Sequence, residues 1–249
     1  MKTKGYLIAV GLVAAVALVA DAGPAGRLAS DRAEAQTGGP GIQGLPLIEV
    51  AAGDGQSDVL AVLLSGDGGW AVPDRGVSRE LAASGVPVVG LNSLKYFWSP
   101  KSPEEAASDL TRILRHYLAA WKKTWVVLIG YSLGADVLPF LVNRLPEDLQ
   151  AAVRTVALMG PSALANFEFH VLDWIGRGPE RNALPVIPEI QRIAPAIAIL
   201  CIYGEGDSDQ ICSQLDLRRV RCVQIPGGHR VGSGYGPVAS AILDSLRSD

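Results

Sequence analysis

The sequence predicts an α/β fold with a mostly parallel central sheet and helices on both faces. Three observations predict it. Short, nearly continuous runs of Val, Ile and Leu recur along the chain, helical patterns fall between them, and a glycine-framed serine joins one run to the helix after it. Strands covered by helices on both sides read as continuous apolar runs rather than as alternation. Strand and helix taken in turn then imply parallel strands joined by crossovers.

The clearest strands are predicted at 59–64, 86–91 and 125–131, with weaker ones at 154–159, 196–203 and 221–225. The clearest helix opens at Ser102-Pro103-Glu104-Glu105. There Ser102 can cap, Pro103 suits the first turn and Glu105 can close a capping box. Ala106, Leu110, Ile113, Leu114, Tyr117, Leu118 and Trp121 then carry an apolar stripe at helical spacing. Further helices are expected over 135–144 and about 238–246. Residues 160–195 break the rhythm, because Phe167, Phe169 and Val171 alternate with Glu168, His170 and Leu172 ahead of a Pro/Gly-rich stretch. This reads as a short insertion near the sheet's carboxyl edge, one extra strand with a short lid, or equally as a loop with satellite packing.

The 249 residues carry 22 Lys+Arg and 25 Asp+Glu, a net charge of −3 without a basic stripe. That balance excludes nucleic acid as the main partner, since phosphate neutralisation needs clustered cations. With 49% apolar and 19% charged residues the chain is neither disordered nor fibrous. Lys2 and Lys4 precede the apolar run Tyr6–Ala20, whose 15 residues suit a signal peptide. A spanning helix needs about 20. Small-x-small sites place cleavage after Ala22 or Ala35, so the expected organisation is a signal peptide over 1–35, a flexible linker over 36–44 and one domain over 45–249. In an exported chain Cys201, Cys212 and Cys222 can form one disulfide. Cys201 lies in a strand run and reads as a buried thiol, so Cys212–Cys222, in or beside loops, is the expected pair. The cysteine spacing is not that of a metal site, and no cofactor is expected.

Gly130-Tyr131-Ser132-Leu133-Gly134 follows the 125–131 strand and opens a helix, the G-x-S-x-G nucleophile elbow in its required context. The sharp turn crowds Cβ atoms, hence the glycines, and exposes Ser132 Oγ at the sheet's top. A serine needs a base. Of the three histidines, His116 lies on the polar face of a helix and His170 in the aberrant stretch. His229 follows the last strand and Pro226-Gly227-Gly228, where an α/β-hydrolase presents its histidine. The acid belongs between Ser132 and His229 in chain order. Tyr203-Gly204-Glu205-Gly206-Asp207-Ser208-Asp209 supplies Asp207 and Asp209, which spacing alone does not separate. Ser65-Gly66-Asp67-Gly68-Gly69-Trp70 follows an earlier strand, and its glycines let backbone N–H groups approach a reacting carbonyl. The expected oxyanion donors are the N–H of Asp67 or Gly68 together with that of Leu133.

The strings Leu63-Leu64-Ser65-Gly66-Asp67-Gly68-Gly69-Trp70, Val88-Val89-Gly90-Leu91-Asn92-Ser93-Leu94-Lys95-Tyr96-Phe97-Trp98 and Leu128-Ile129-Gly130-Tyr131-Ser132-Leu133-Gly134-Ala135-Asp136-Val137-Leu138-Pro139 are far more specific than the elbow. With Tyr203-Gly204-Glu205 and Pro226-Gly227-Gly228-His229, they make the chain resemble the VirJ-type virulence proteins, including the related C-terminal half of AcvB. The resemblance implies a periplasmic α/β-hydrolase acting on aminoacylated phosphatidylglycerol, notably the lysyl form. It favours Asp209 as the acid, where generic hydrolase spacing favours Asp207. The family usually carries a second histidine where this chain has Arg230.

Such a substrate presents an ester carbonyl, a cationic amine and an anionic phosphate at a membrane surface. Asp67 suits the amine, while Lys95 with Tyr96, Phe97 and Trp98 suits phosphate, glycerol or the interface; turn geometry and core packing are the plainer roles for these residues. The expected protein is therefore an exported, monomeric serine esterase. Two alternatives stand beside it: an esterase for a small soluble ester, and a non-catalytic binding or chaperone-like partner of a secretion system.

Overall fold

The computed structural model describes residues 41–52, 57–168, 183–207, 210–228 and 235–247. The expected signal peptide lies outside the described residues, as does the linker up to residue 40. The linker's last residues are not loose: Ile42 is fully buried, and Arg112 Nε donates to the Gly41 carbonyl at 2.7 Å.

Among the described residues seven strands form one sheet: β1 (Leu47–Val50), β2 (Val59–Leu64), β3 (Val88–Leu91), β4 (Trp125–Tyr131), β5 (Val153–Met159), β8 (Ala198–Gly204) and β9 (Val220–Ile225). Their order is β1-β3-β2-β4-β5-β8-β9. Every pairing is parallel except β1 with β3. All six strands predicted from apolar runs are present. The antiparallel edge strand β1 was not predicted, because four residues at a sheet edge leave too little pattern.

Alternate residues of each strand feed two cores. Leu60, Val62 and Leu64 pack with α3 (Pro103–Ala120), α4 (Leu133–Val142) and α6 (Val186–Arg192). Ala61 and Leu63 pack on the other face with α1 (Val72–Ala83) and α7 (Tyr235–Ser245). The capping box of α3 forms as expected: Glu105 N donates to Ser102 Oγ at 3.1 Å and Ser102 N to Glu105 Oε2 at 2.7 Å. Two short helices, α2 (Ser93–Tyr96) and α5 (Glu147–Ala152), complete the set among the described residues.

Of the 160–195 stretch, read as one extra strand with a lid or as a loop with satellite packing, the described residues show elements of both. A minimal antiparallel pair joins β6 (Leu164–Ala165) to β7 (Leu184–Pro185), and α6 follows directly. Phe167 turns inward and meets Phe97 and Phe140 edge-on, at 5.8 and 5.5 Å between ring centres. Residues 169–182, including Phe169, His170 and Val171, lie outside the described residues. Among the described residues no helix is long and apolar enough to cross a membrane.

Candidate active site

Parallel strands end at one edge of the sheet, and the loops that matter leave from there. β4, the central strand, ends at Tyr131, and Ser132 turns the chain into α4 with φ 50° and ψ −117°. A non-glycine residue with positive φ stores about 1–3 kcal/mol, which the surroundings must over-determine. They do so through the backbone. Ser132 N donates to Met159 O of β5 at 2.9 Å, while Ser132 O accepts from Ala135 N at 2.8 Å and Asp136 N at 3.0 Å. Both framing glycines are sterically required. A Cβ on Gly130 would strike the backbone of Gly134 and Ala135, and one on Gly134 would strike the carbonyls of Leu64 and Ser65.

The glycine loop after β2 folds as a tight turn, with Gly69 N donating to Gly66 O at 3.0 Å and Gly69 at φ +74°. Gly66 lies against the elbow: a Cβ there would come within 3.4 Å of Ser132 Cβ and 3.2 Å of the Tyr131 ring. The loop is braced from behind by Ser65 Oγ, which accepts from Ser93 N at 2.9 Å. Asp67 and Gly68 are exposed at its tip, and Leu133 opens α4, where a first-turn N–H has no helical acceptor. Gly66, next to the expected donors Asp67 and Gly68, thus lies against the serine that Leu133 follows. A cavity of about 500 Å³ adjoins them, lined by Gly66, Asp67, Gly68, Val72, Tyr131 and Tyr235 among others. A larger cleft of about 600 Å³ lies at the opposite edge, where β8 and β9 begin, far from this chemistry.

On the acid side, Asp207 follows β8 in a turn closed by its own N–H to Gly204 O at 3.0 Å. Asp209 and His229 lie outside the described residues. The segments that lead to them are joined: Glu205 N donates to Ile225 O at 3.0 Å and Gly206 N to Gly227 O at 2.9 Å. Gly204 packs so closely on the carbonyls of Gly227 and Gly228 that no side chain would fit.

The expected Cys212–Cys222 disulfide is corrected. Cys201 pairs with Cys212, with Cα atoms 5.6 Å apart, and Cys222 is free. A 3₁₀ turn at Cys212–Gln214 folds back over β8 and brings Cys212 into the core above Cys201. Cys222 sits beside Cys201 in the β8–β9 register, and its thiol donates to Cys212 O at 3.2 Å. Burial pushes that thiol's pKa up.

The aromatic run also divides. Tyr96 and Phe97 are core residues, and the Tyr96 hydroxyl donates to Asp109 Oδ2 at 2.6 Å, which with burial holds its pKa far above normal. Tyr96 is therefore a packing group, not a surface contact. Trp98 is 63% exposed and Lys95 is exposed beside it.

Sequence reasoning assigned no role to Asp136. It lies one helical turn past Ser132, buried, with Oδ1 accepting from Ser162 N at 2.6 Å. Burial pushes its pKa up to about 8 against the Ser162 hydrogen bonds, and the charge of Asp67 adds to the rise. A signal existed: Asp136 is the one charge in the apolar helix LGADVLPFLV. Asp74, in the first turn of α1, is a milder case, raised by burial to about 6 while Oδ2 accepts from Ala71 N at 2.8 Å. Among the described residues no group of His, Cys, Asp or Glu could hold a metal ion.

Parallel sheet, central elbow and glycine loop together define the α/β-hydrolase fold, and solved structures agree. Est1E from Butyrivibrio proteoclasticus superposes with a TM-score of 0.59 at 10% identity, covering 83% of this chain and 97% of that one. The Pyrococcus furiosus esterase Pf2001 gives 0.56 at 15%, covering 77% and 81%. XC6422 from Xanthomonas campestris, described as an α/β serine hydrolase without a lid, gives 0.52 at 16%, covering 81% and 87%. Within that fold, the chain belongs to the bacterial virulence protein (VirJ) family, which it matches over residues 58–249. A comparison with curated protein sequences finds no match.

Proposed function

We propose that the protein is an exported serine hydrolase that cleaves the aminoacyl ester, notably lysyl, of aminoacylated phosphatidylglycerol. The observation that carries the hydrolytic reading is Ser132 held at positive φ between a central strand and a helix N-terminus, with Gly66 against its Cβ. Family membership and the esterases among the structural neighbours support it.

In the proposed reaction His229 takes the proton of Ser132 Oγ as the oxygen attacks the ester carbonyl. The oxyanion accepts hydrogen bonds from the N–H of Leu133 and of Asp67 or Gly68. As the intermediate collapses, the glycerol oxygen leaves with the proton from His229, and the amino acid stays esterified to Ser132. Water, deprotonated by His229, then releases the free amino acid. Asp207 or Asp209 orients the imidazole and stabilises its cation. Asp67 faces the substrate amine, and exposed Lys95 and Trp98 meet the phosphate and the lipid interface. The site needs no cofactor in this scheme.

Release of lysine from lysyl-phosphatidylglycerol vesicles by the purified protein, absent in Ser132→Ala, tests the proposal. Turnover of p-nitrophenyl esters without lipid turnover would assign a soluble ester instead. Failure of a fluorophosphonate to label Ser132 would favour a non-catalytic binding protein.

A further inference from the structure

The cavity of about 500 Å³ beside Ser132 has the size of a small-ligand site. Among the described residues, both aromatic rings that line it rest on glycines. A Cβ on Gly66 would come within 3.2 Å of the Tyr131 ring. A Cβ on Gly76 would fall on Cγ, Cδ2 and Cε2 of Tyr235, all nearly equally close, so this ring meets α1 with a face rather than an edge. Gly76 lies inside α1, where a glycine weakens a helix relative to alanine. The bare backbone there seats Tyr235, the first residue of α7. Ala71, Val72 and Pro73 add an apolar wall at the start of α1. Asp67, exposed at the loop tip, is the one charged group lining the cavity among the described residues.

We propose that this cavity holds the acyl side chain of the ester and selects a cationic one, with Tyr131 and Tyr235 as aromatic walls and Asp67 as the counter-charge. The inference rests on the serine-hydrolase reading above and assigns the acyl specificity of that site. An ammonium beside aromatic rings is attracted by their quadrupoles, more strongly where water is excluded. The Asp67 carboxylate adds a charge-assisted hydrogen bond. The methylenes of a long side chain lie along Val72 and Pro73 while its charged head stays near the exposed rim, the arrangement that long cationic side chains favour. Backbone and side chain of the glycine loop then divide the work. The N–H of Asp67 or Gly68 meets the carbonyl, and the Asp67 carboxylate meets the cation. A neutral chain of the same length gains neither the ring attraction nor the charged hydrogen bond.

The test compares the p-nitrophenyl esters of Nα-benzyloxycarbonyl-lysine and Nα-benzyloxycarbonyl-norleucine on the full chain. Norleucine keeps the carbon chain of lysine and lacks the ammonium. kcat/KM should favour the lysyl ester by about tenfold or more, and the ratio between the two esters cancels any general loss of activity in a variant. Tyr235→Leu and Asp67→Asn should each lower that ratio by roughly fivefold, whereas Tyr235→Phe, which keeps the ring, should preserve it. Circular dichroism reports whether Tyr235→Leu folds, and Asp67→Asn, on an exposed loop tip, decides the matter if it does not. Equal kcat/KM for the two esters in the unaltered protein overturns the proposal and leaves the hydrolase reading standing. A lysyl preference that persists in both Tyr235→Leu and Asp67→Asn overturns it as well. Labelling of Ser132 by a fluorophosphonate with no turnover of either ester overturns the pocket assignment alone. If neither ester is turned over and Ser132 stays unlabelled, the hydrolase reading itself fails, and this inference falls with it.

Discussion

The two halves of the proposed catalytic machinery are held by different means. The nucleophile half sits on β4, the centre of the sheet, and is fixed by backbone sterics: Gly130 and Gly134 leave no room for a Cβ, and Ser132 is anchored to β5 and α4. The candidate acids follow β8, beside the edge strand β9, where the described backbone is joined by two backbone hydrogen bonds, a close glycine contact and the Cys201–Cys212 disulfide. A site can thus be rigid where local sequence over-determines it and conditional where distant segments must meet. In functional terms, the nucleophile should tolerate changes of environment that the acid does not.

The sharpest test of the nucleophile half is Ser132→Ala, which should lower ester turnover by about 10⁴-fold or more and abolish fluorophosphonate labelling, with thermal unfolding little altered. On the acid half, Asp207→Asn and Asp209→Asn separate the two candidates. The true acid should cost about 10⁴-fold in kcat, while the other variant stays within a few-fold. Equal, small losses in both would break the triad assignment.

Gly134→Ala probes the steric lock itself. Its methyl group would collide with the Leu64 carbonyl, so denaturant unfolding should show a loss of about 3 kcal/mol or more, accompanied by lost activity. Gly68→Ala is the matched control on the loop tip, where nothing lies within 4 Å, and its effect on stability should stay within about 0.5 kcal/mol.

Asp136 couples the nucleophile helix to pH. An acid with a raised pKa makes the folded chain hold more protons than the unfolded one between the ordinary value of 3.8 and about 8. Stability should therefore fall as pH rises through that window, by on the order of 1 kcal/mol per unit where the difference is fully developed. Asp74 adds a smaller slope of the same sign below about 6. Denaturation midpoints from pH 5 to 8 should show the decline in the native chain and a flatter profile in Asp136→Asn. An unchanged slope would place the coupling elsewhere.

Much of this was legible in the residues before any coordinates. The elbow, the glycine loop and the capped helix α3 are local devices, in which five to eight consecutive residues carry their own steric or hydrogen-bonding requirement. The six strands were legible because burial on both faces leaves an unbroken apolar run. The aromatic string at 96–98 was ambiguous for the opposite reason. Burial of Tyr96 and Phe97 is decided by Asp109 on α3 and by Phe167, residues far away in sequence. Asp136 was overlooked because a buried acid inside an apolar helix makes sense only beside its partner Ser162, 26 residues away.

The sequence by itself determined the α/β class, the elbow serine and the VirJ kinship, because each is written in short-range pattern. Tertiary structure alone decided which cysteines bond, that Leu164–Ala165 pairs with Leu184–Pro185, and which of three aromatic side chains reaches solvent. The cysteines show the physical reason most plainly. Cys201 looked like an isolated thiol in a strand until a 3₁₀ turn returned Cys212 to it, and no spacing of residues encodes that return.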